Sequence, residues 1–585
     1  MYILGISCFY HDASAALLKD GKIVAAAQEE RFTRKKHDTS FPEKAIEYCL
    51  KSQNITINEI DYIGFYEKPL LKFERILYQH LESFPKSYKT FLSSMPSWIN
   101  EKLRVIKLIK KKLKYKKDVL FIEHHMAHAA SFLISPFKKA AILTIDGVGE
   151  WTTTSLGIGE NENIKLFKEI QFPSSIGLLY STITAYLGFS VNNSEYKVMG
   201  LAPYGNMDKN TNPYYHVLKK VIDIRDDGSY HLNMSYFTYH YKNRMPSKKL
   251  CQLLGGFIRK PESEVTERHK DIAAALQLIT EEIIIKILNY IQKITNCQNI
   301  VLSGGVALNS VANGKILRNT SFKNIWIQPD PGDGGTSIGV SIYIYNTILG
   351  NKRVYQLDNP YLGPKFSNEE IREFLDKNEI KYNEFKREKE MIKEVAKMIF
   401  NNQVIGWFQD GMEWGPRALG ARSILSNPCD PEMKEIINLK VKHREKFRPF
   451  APVVCEDDAL NYFDCDKPIP LPTDFMLMVY PIKKKYHKKM PAVTHIDGSG
   501  RLQTIRKFQN PIYYNLIKEF GKLSKIPILI NTSFNIRGEP IVCTPYDAYK
   551  CMMGTGIDYL IMDKFIIKRE ENFRDIWDSE KYAKD

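Results

Sequence analysis

The segment EHHMAHAAS places His124 and His128 four residues apart. On a helix that spacing sets both imidazoles on one face, about a turn apart, which suits a single metal ion. A zinc-protease motif needs Glu directly after the first His; His125 stands there instead, which rules that chemistry out. Carboxylates that could complete a shell stand at predicted strand ends, Asp146 in TIDGVGE and Asp333 in PGDGGTSIG. Two imidazoles and two carboxylates with open positions suit Fe(II), Mn(II) or Zn(II). Taken singly, each Asp is explained equally well by turn or N-cap chemistry. His11-Asp12 follows an apolar run; it offers a general base for a hydroxyl or, equally, a structural pair.

Glycine supplies a second kind of site. SGGVALN, Ser303 to Asn309, is expected to follow a strand and open a helix. Its backbone N–H groups could then approach an anion at the helix N-terminus. It is neither a Walker A loop nor G-x-G-x-x-G. With the second turn at Gly332, and Glu195 and Lys197 in SEYKVMGLAPYG, it points to a nucleotide pocket formed by Lys197, Gly304, Gly305, Asn309 and Gly332.

The elements that must hold these residues read as follows. Ile3 to Ser7 is a strand, and Ser14 to Leu18 and Ile23 to Ala27 flank the hairpin turn Asp20-Gly21. The pattern recurs from Ala141: AILTIDG, TTTSLGIG and IKLFKEI, the last two separated by the turn Glu160 to Asn163. One β-β-β unit therefore occurs twice, as in the actin-like ATPase superfamily. Between the repeats, Leu103, Ile106, Ile109 and Leu113 predict an amphipathic helix with a solvated basic face. A long helix is expected over 265–293, with Ile272, Leu276, Ile279, Ile283 and Ile287 on one stripe. Strands follow at Ile300 to Leu302 and Ile325 to Ile327. The pattern loosens near Gly350, where a domain boundary is placed. Beyond it a second α/β domain is read, with a helix from Asn368 to Asn378 and strands at Val404 to Phe408 and Ile528 to Ile530.

Length and charge bound the rest. A chain of 585 residues suggests two to four domains. Its 44% hydrophobic and 26% charged residues exclude a disordered chain, and no long uncharged run marks a membrane span. The start MYILGISCFYHDASAALL lacks a cation before its apolar run, so a strand is expected rather than a signal peptide. Nine cysteines without a C-x-x-C pair read as reduced thiols of a cytoplasmic protein. The net charge of +16 admits nucleic acid, an anionic membrane or small anionic substrates, and composition does not choose among them.

Taken in order, GISCFYHDASAALL, EERFTRKKHD, EHHMAHAAS, NSEYKVMGLAPYG, LSGGVALN, PGDGGTSIG, MEWGPRALGARSIL, KFRPFAP and LINTSFNIRGEPIV resemble the bacterial O-carbamoyltransferases. That group modifies nodulation factors, cephamycins, novobiocin and aminoglycosides. The resemblance implies an α/β chain. Residues 1–350 would form a duplicated actin-like (TsaD-like) domain, akin to the tRNA threonylcarbamoyl transferase, and 351–585 a YrdC-like domain. It implies carbamoyl phosphate and ATP (with Mg²⁺) as co-substrates, carbamoyl adenylate made in the second domain, and transfer to a hydroxyl of a small-molecule acceptor in the first. It makes His124, His128, Asp146 and Asp333 ligands of a divalent metal, Fe(II), with His11 or Asp12 taking the hydroxyl proton. Adenylation brings polyanions together and needs fixed cations. Arg417, Arg422, Lys442, Arg444, Arg448 and Arg501 are the candidates, with Ser533 and Asn535 resembling a nucleotide contact; a solvated surface role also fits Arg444. No membrane partner is expected, nucleic acid is not favoured, and a homodimer is compatible with the chain. The alternatives are a tRNA threonylcarbamoyladenosine-type modification enzyme and a non-catalytic actin-like nucleotide-binding protein. Residues 66–118 and 206–260 match no motif and are expected to vary with the acceptor.

Overall fold

The computed structural model describes residues 1–242, 244–444 and 448–572. The chain divides into two compact units. Unit 1 comprises Met1–Ala26 and Thr39–Gln356; unit 2 comprises Ala27–Asp38 and the chain from Leu357 on.

Unit 1 contains two sheets of one topology. In the first, β1 (Tyr2–Ser7), β2 (Ser14–Lys19) and β3 (Lys22–Gln28) form a meander, and β4 (Tyr62–Phe65) and β5 (Val119–Phe121) add on the other side of β1 in the order β3-β2-β1-β4-β5. β1 pairs antiparallel with β2 and parallel with β4. The hairpin is fixed by Asp20 and Gly21, both at positive φ, as a tight two-residue turn demands. The second sheet repeats this with β6 (Lys139–Ile145), β7 (Thr152–Glu160) and β8 (Asn163–Gln171). A small hairpin of β9 (Ile222–Ile224) and β10 (Tyr230–Leu232) lies between these and β11 (Asn299–Ser303) and β12 (Asn324–Trp326). The order is β12-β11-β6-β7-β8, with β6 parallel to β11 and antiparallel to β7. The duplication read from the two meanders is thus present, down to the parallel strands that close each sheet.

The halves differ in their crossovers. Between β11 and β12 the chain forms only a 3-10 turn (Gly305–Leu308) and the four-residue helices Ser310–Asn313 and Ile316–Asn319. SGGVALN thus follows a strand and opens a helical stretch as expected, but that stretch is broken into short turns. Between β4 and β5 stand three helices, Pro69–Glu82, Tyr88–Asn100 and Val105–Leu113. The last is the expected basic helix, but rotated. Val105 and Ile109 are buried, whereas Ile106 is 48% exposed. The helix Glu267–Thr295 buries its five predicted stripe residues as expected.

Helix Thr336–Tyr343 packs against β1, β2 and the helix His124–Ala129. Glycines permit the approach: a Cβ on Gly5 would lie 1.9 Å from the Ser337 carbonyl oxygen, and one on Gly339 1.9 Å from that of Ala127. Ser14 Oγ donates to Gly334 O at 2.7 Å, and Ser7 Oγ to Asp333 O at 3.1 Å. These bonds fix the turn that carries Asp333. Gly339→Ala should therefore force the helix outward and cost about 1–3 kcal/mol; a thermal unfolding midpoint equal to wild type would contradict this packing.

Unit 2 is a nine-stranded mixed sheet built from β13 (Asn383–Glu384), β14 (Ile405–Phe408), β15 (Arg422–Ser426), β16 (Ala451–Cys455), β17 (Met478–Pro481), β18 (Ser499–Ile505), β19 (Ile528–Ser533), β20 (Tyr559–Met562) and β21 (Phe565–Lys568). The order is β13-β21-β20-β14-β15-β19-β16-β18-β17. Helices Glu388–Phe400 and Pro511–Ser524 cover it through Val395, Ile399, Leu516 and Phe520, packed on Trp407 and Leu529.

The boundary differs from the expected 350/351. Arg353 donates to the carbonyls of Leu133, Phe132, Ser135 and Phe137, and so binds the connecting segment to unit 1. Residues 27–38, expected in the first domain, belong to unit 2. There Arg31 donates to Gly415 O at 2.9 Å, Arg34 to Ile541 O and Pro540 O, and Phe32 packs on Met412, Ala418, Ile541 and Cys543. No helix among the described residues is long and apolar enough to cross a membrane.

Candidate functional site

Four expected ligands meet in unit 1. The short helix after β5 presents His124 and His128 with their Nε2 atoms 3.2 Å apart. Asp146, at the end of β6, brings Oδ2 to 3.0 Å from His124 Nε2. Asp333 Oδ1 lies 3.7 Å from His124 Nε2 and 3.6 Å from His128 Nε2. One ligand atom from each of the four lies within 4.8 Å of every other. Bonds of about 2.1 Å to a shared ion would separate neighbouring ligand atoms by roughly 3.0–3.4 Å. The donor set therefore fits a divalent cation. Asp333 carries the strongest sign of it: the residue is 1% exposed and neither carboxylate oxygen has a hydrogen bond. The imidazoles of His11, His124 and His128, 3.6–3.7 Å away, surround it without closing a hydrogen bond, and a buried carboxylate so placed is costly unless a cation completes it.

The surrounding residues aim these ligands. Asp146 Oδ1 accepts from Gly305 N at 2.9 Å. His128 Nδ1 lies 3.3 Å from Ser303 Oγ, and Glu150 accepts the His124 backbone N–H at 3.1 Å. Burial opposes charge on His124, but Asp333 and the hydrogen-bonded Asp146 outweigh it and hold its pKa up at about 9. Burial raises the Asp146 carboxyl, and His124, His128 and His125 more than reverse this, leaving it well below the usual range. His125 turns away to Thr144 Oγ1 at 2.6 Å; burial and the neighbouring His124 and His128 push it down to about 3.

His11 joins this cluster: Nε2 is 3.7 Å from Asp333 Oδ2 and Nδ1 is 2.9 Å from Asp12 Oδ2. Burial works against its charge, yet Asp333 and Asp12 raise it to about 10. A base needs a free lone pair, so His11 can accept a proton only after a cation has screened Asp333. The glycine turns meet, with Gly304 N donating to Pro331 O at 2.8 Å, just before Gly332. Gly304 has φ 93°, and a Cβ there would strike Ile145 O at 2.2 Å. Their visible task is to bring Asp146 and Asp333 together. Asn309 differs from its expected nucleotide role, because its amide exchanges bonds with Gln277 and caps Ala312 N. Lys197 is buried on helix Glu195–Leu201, its Nζ 5.6 Å from the centre of the Phe189 ring.

In unit 2 the structure gathers Lys442, Ser533 and Asn535. Lys442 Nζ donates to Ser533 O and Oγ, to Asn535 O at 3.0 Å and to Asn535 Oδ1 at 2.8 Å. Burial, then Arg444, Arg448 and Lys36, hold its pKa well below that of an ordinary lysine. An excess of positive charge around a buried ammonium suits a polyanion. Arg444 Nε donates to Asn438 Oδ1 at 2.7 Å and its guanidinium lies 4.8 Å from the Phe450 ring centre, so it is a fixed group rather than a solvated one. Asn438 Nδ2 reaches Arg448 O. Lys446 and Phe447 of the KFRPFAP motif lie outside the described residues. Arg501, on β18, acts on His495, which burial, with Arg501 and Lys434 adding, holds down at about 4.

Arg422 corrects the sequence reading. It is fully buried, donates to the carbonyls of Gln409, Asp410, Ala421 and Pro364, and stacks 3.7 Å from the Phe408 ring centre. Those donors brace the fold. Arg417 sits instead on a loop shaped by Glu413, a residue the sequence reading missed. Glu413 Oε1 accepts the N–H groups of Leu419, Ala421 and Arg422 at 2.8–2.9 Å. An acid just before a Gly-Pro-Arg loop was the available signal. Glu413→Ala orphans three buried donors and should cost on the order of 3 kcal/mol or more in a denaturant titration; a change under about 1 kcal/mol would show that the clamp is dispensable.

A duplicated-sheet unit with a cluster of possible metal ligands, joined in one chain to an α/β unit with a cluster of cations, defines the class, and sequence comparison specifies it. Residues 2–342 match the family model "Carbamoyltransferase N-terminus", and 396–569 match "Carbamoyltransferase C-terminus". The chain belongs to the carbamoyltransferase family. It is 44% identical to the uncharacterized protein sll1178 of Synechocystis sp., over 97% of each chain. It is 33% identical to the nodulation protein NolNO of Sinorhizobium fredii, over 97% of this chain and 80% of that one. Among solved structures, the Acidaminococcus fermentans (R)-2-hydroxyglutaryl-CoA dehydratase component A is 15% identical with a TM-score of 0.33, covering 59% of this chain and 97% of that one.

Proposed function

We propose that the protein is an O-carbamoyltransferase that activates carbamoyl phosphate with ATP in unit 2 and carbamoylates a small-molecule hydroxyl in unit 1. The observation that carries this is the match of both units to carbamoyltransferase models, each unit holding a site suited to its half of the reaction. In unit 2, water releases carbamate and inorganic phosphate from carbamoyl phosphate. A carbamate oxygen attacks the α-phosphorus of ATP, and pyrophosphate leaves. Lys442, Arg444 and Arg448 bind and orient the phosphate oxygens, and Ser533 and Asn535 hold the Lys442 ammonium. In unit 1, the acceptor oxygen attacks the carbamoyl carbon, and AMP carries away the electron pair of the broken C–O bond. His11, oriented by Asp12, takes the hydroxyl proton. His124, His128, Asp146 and Asp333 would hold a divalent ion such as Fe(II), which supplies Lewis-acid polarisation of a phosphate oxygen when bound. The test is carbamoyl-phosphate-dependent exchange of labelled pyrophosphate into ATP, followed by a mass gain of one carbamoyl group across a glycoside panel. No exchange under any metal condition would overturn the proposal.

A further inference from the structure

The first helix of the β4–β5 crossover, Pro69–Glu82, is folded inside out. Lys72 and Arg75 are buried, while Leu70 and Leu81 are 74% and 77% exposed. A helix that turns cations inward and leucines to water is packed against a polar interior. Lys72 is paired there with Glu67 and lies over the Tyr10 ring. Among the described residues Arg75 has no such partner. It is 5% exposed, its enclosed Nε has no hydrogen-bond partner, and its contact is the Phe172 ring, 4.9 Å away. The two acids near it are committed elsewhere: Glu67 to Lys72, and Glu150 to the backbone N–H groups of Lys68 and His124. Burial lowers Arg75 to about 10 even though Tyr10, Glu67 and Glu150 favour its charge.

The location gives this cation a use. Lys72, one turn before Arg75 on the same helix, lies 5.2 Å from the Tyr10 ring centre, the Tyr10 and His11 rings are 4.6 Å apart, and His11 Nε2 is 3.7 Å from Asp333 Oδ2, so this helix borders the metal-ligand cluster. The equivalent crossover of the second half, between β11 and β12, has no such helix. We infer that Arg75, with Tyr10 beside it, forms an oxyanion subsite on the rim of the His124–His128–Asp146–Asp333 cluster. It takes a phosphate or carboxylate of the molecule that reacts there. A buried guanidinium with open donors matches such a group by a charge-assisted, two-point bond. Two molecules could bring it: the activated donor through its phosphate, or the acceptor through an anionic substituent. The inference relies on the carbamoyl-transfer proposal only for the identity of these reactants.

The test is equilibrium dialysis of the full chain with labelled inorganic phosphate, in a Lys442→Gln background that weakens the pocket of unit 2. Arg75→Gln should weaken phosphate binding about tenfold or more, and Arg75→Lys should retain most of it. Metal content and the circular dichroism spectrum, unchanged in both, report an intact fold. Displacement of phosphate by AMP identifies the donor as its source; displacement by acetate but not AMP identifies the acceptor. Equal phosphate affinity with and without Arg75, or no phosphate bound in the Lys442→Gln parent, overturns the subsite. Neither result depends on carbamoyl chemistry, so the subsite and the proposed reaction fail separately.

Discussion

Asp333→Asn should leave the protein folded, able to activate carbamoyl phosphate, and unable to hold its metal. The side chain keeps its size, so packing is preserved. What changes is a charge that unit 1 encloses without a single hydrogen bond to either oxygen. Burial works against that charge, and His11, His124 and His128 nonetheless keep the carboxyl below its ordinary pKa. That charge is the one a divalent cation would meet. Supplying Fe(II) or Mn(II) to the wild type at about a hundred times its Kd should stabilise it by about 2.7 kcal/mol. The variant should show no such gain, and bound metal in elemental analysis should fall to background. Carbamoyl transfer should fall by about 10³-fold, since Lewis-acid stabilisation is worth several kcal/mol, while pyrophosphate exchange persists. Wild-type metal content in the variant would remove Asp333 from the ligand set.

Lys442→Gln should give the opposite pattern: metal retained, pyrophosphate exchange lost by about 10²-fold or more. The ammonium is held by Ser533 and Asn535 at the centre of a cationic group, and burial and Arg444 depress its pKa. The sign of the linkage follows. A bound polyanion favours the protonated form and raises the pKa, so binding draws protons from solvent. Affinity for phosphate should fall as pH rises through the depressed pKa of the free protein. Calorimetry in buffers of different ionisation enthalpy measures that uptake, and Lys442→Gln should abolish it. Proton release on binding in the wild type would exclude Lys442 as the coupled group.

The parts of the molecule governed by local rules were legible in the sequence. Asp20-Gly21 needs positive φ at both positions and formed its hairpin. The stripe from Ile272 to Ile287 needs one buried face and has it. His124 and His128 converge because four residues is about one helical turn. The failures share a cause, since they depend on what lies opposite. Arg422 reads as a phosphate clamp but answers four carbonyls that only the folded loop brings near. Pro69–Glu82 lies where no motif was found, and its inward Lys72 answers Glu67 and the Tyr10 ring, which only the folded chain brings near. Ile106 was placed inward by spacing, yet the helix begins only at Val105 and rotates. Residues 27–38 carried no sign that their partners stand beyond residue 357.

That last segment sets the order of events during synthesis. Its Arg31, Phe32 and Arg34 emerge from the ribosome early, but the backbone that the two arginines bind lies 384 to 507 residues later. At roughly 5–20 residues per second, they wait about 20–100 s for those partners. Unit 2 draws on two separate stretches of the chain. A chain starting at Leu357 would lack the groups that answer Gly415, Pro540 and Ile541, and a chain ending at Gln356 would leave Phe32 without its cavity. Unit 2 is therefore complete only once both of its segments have been translated.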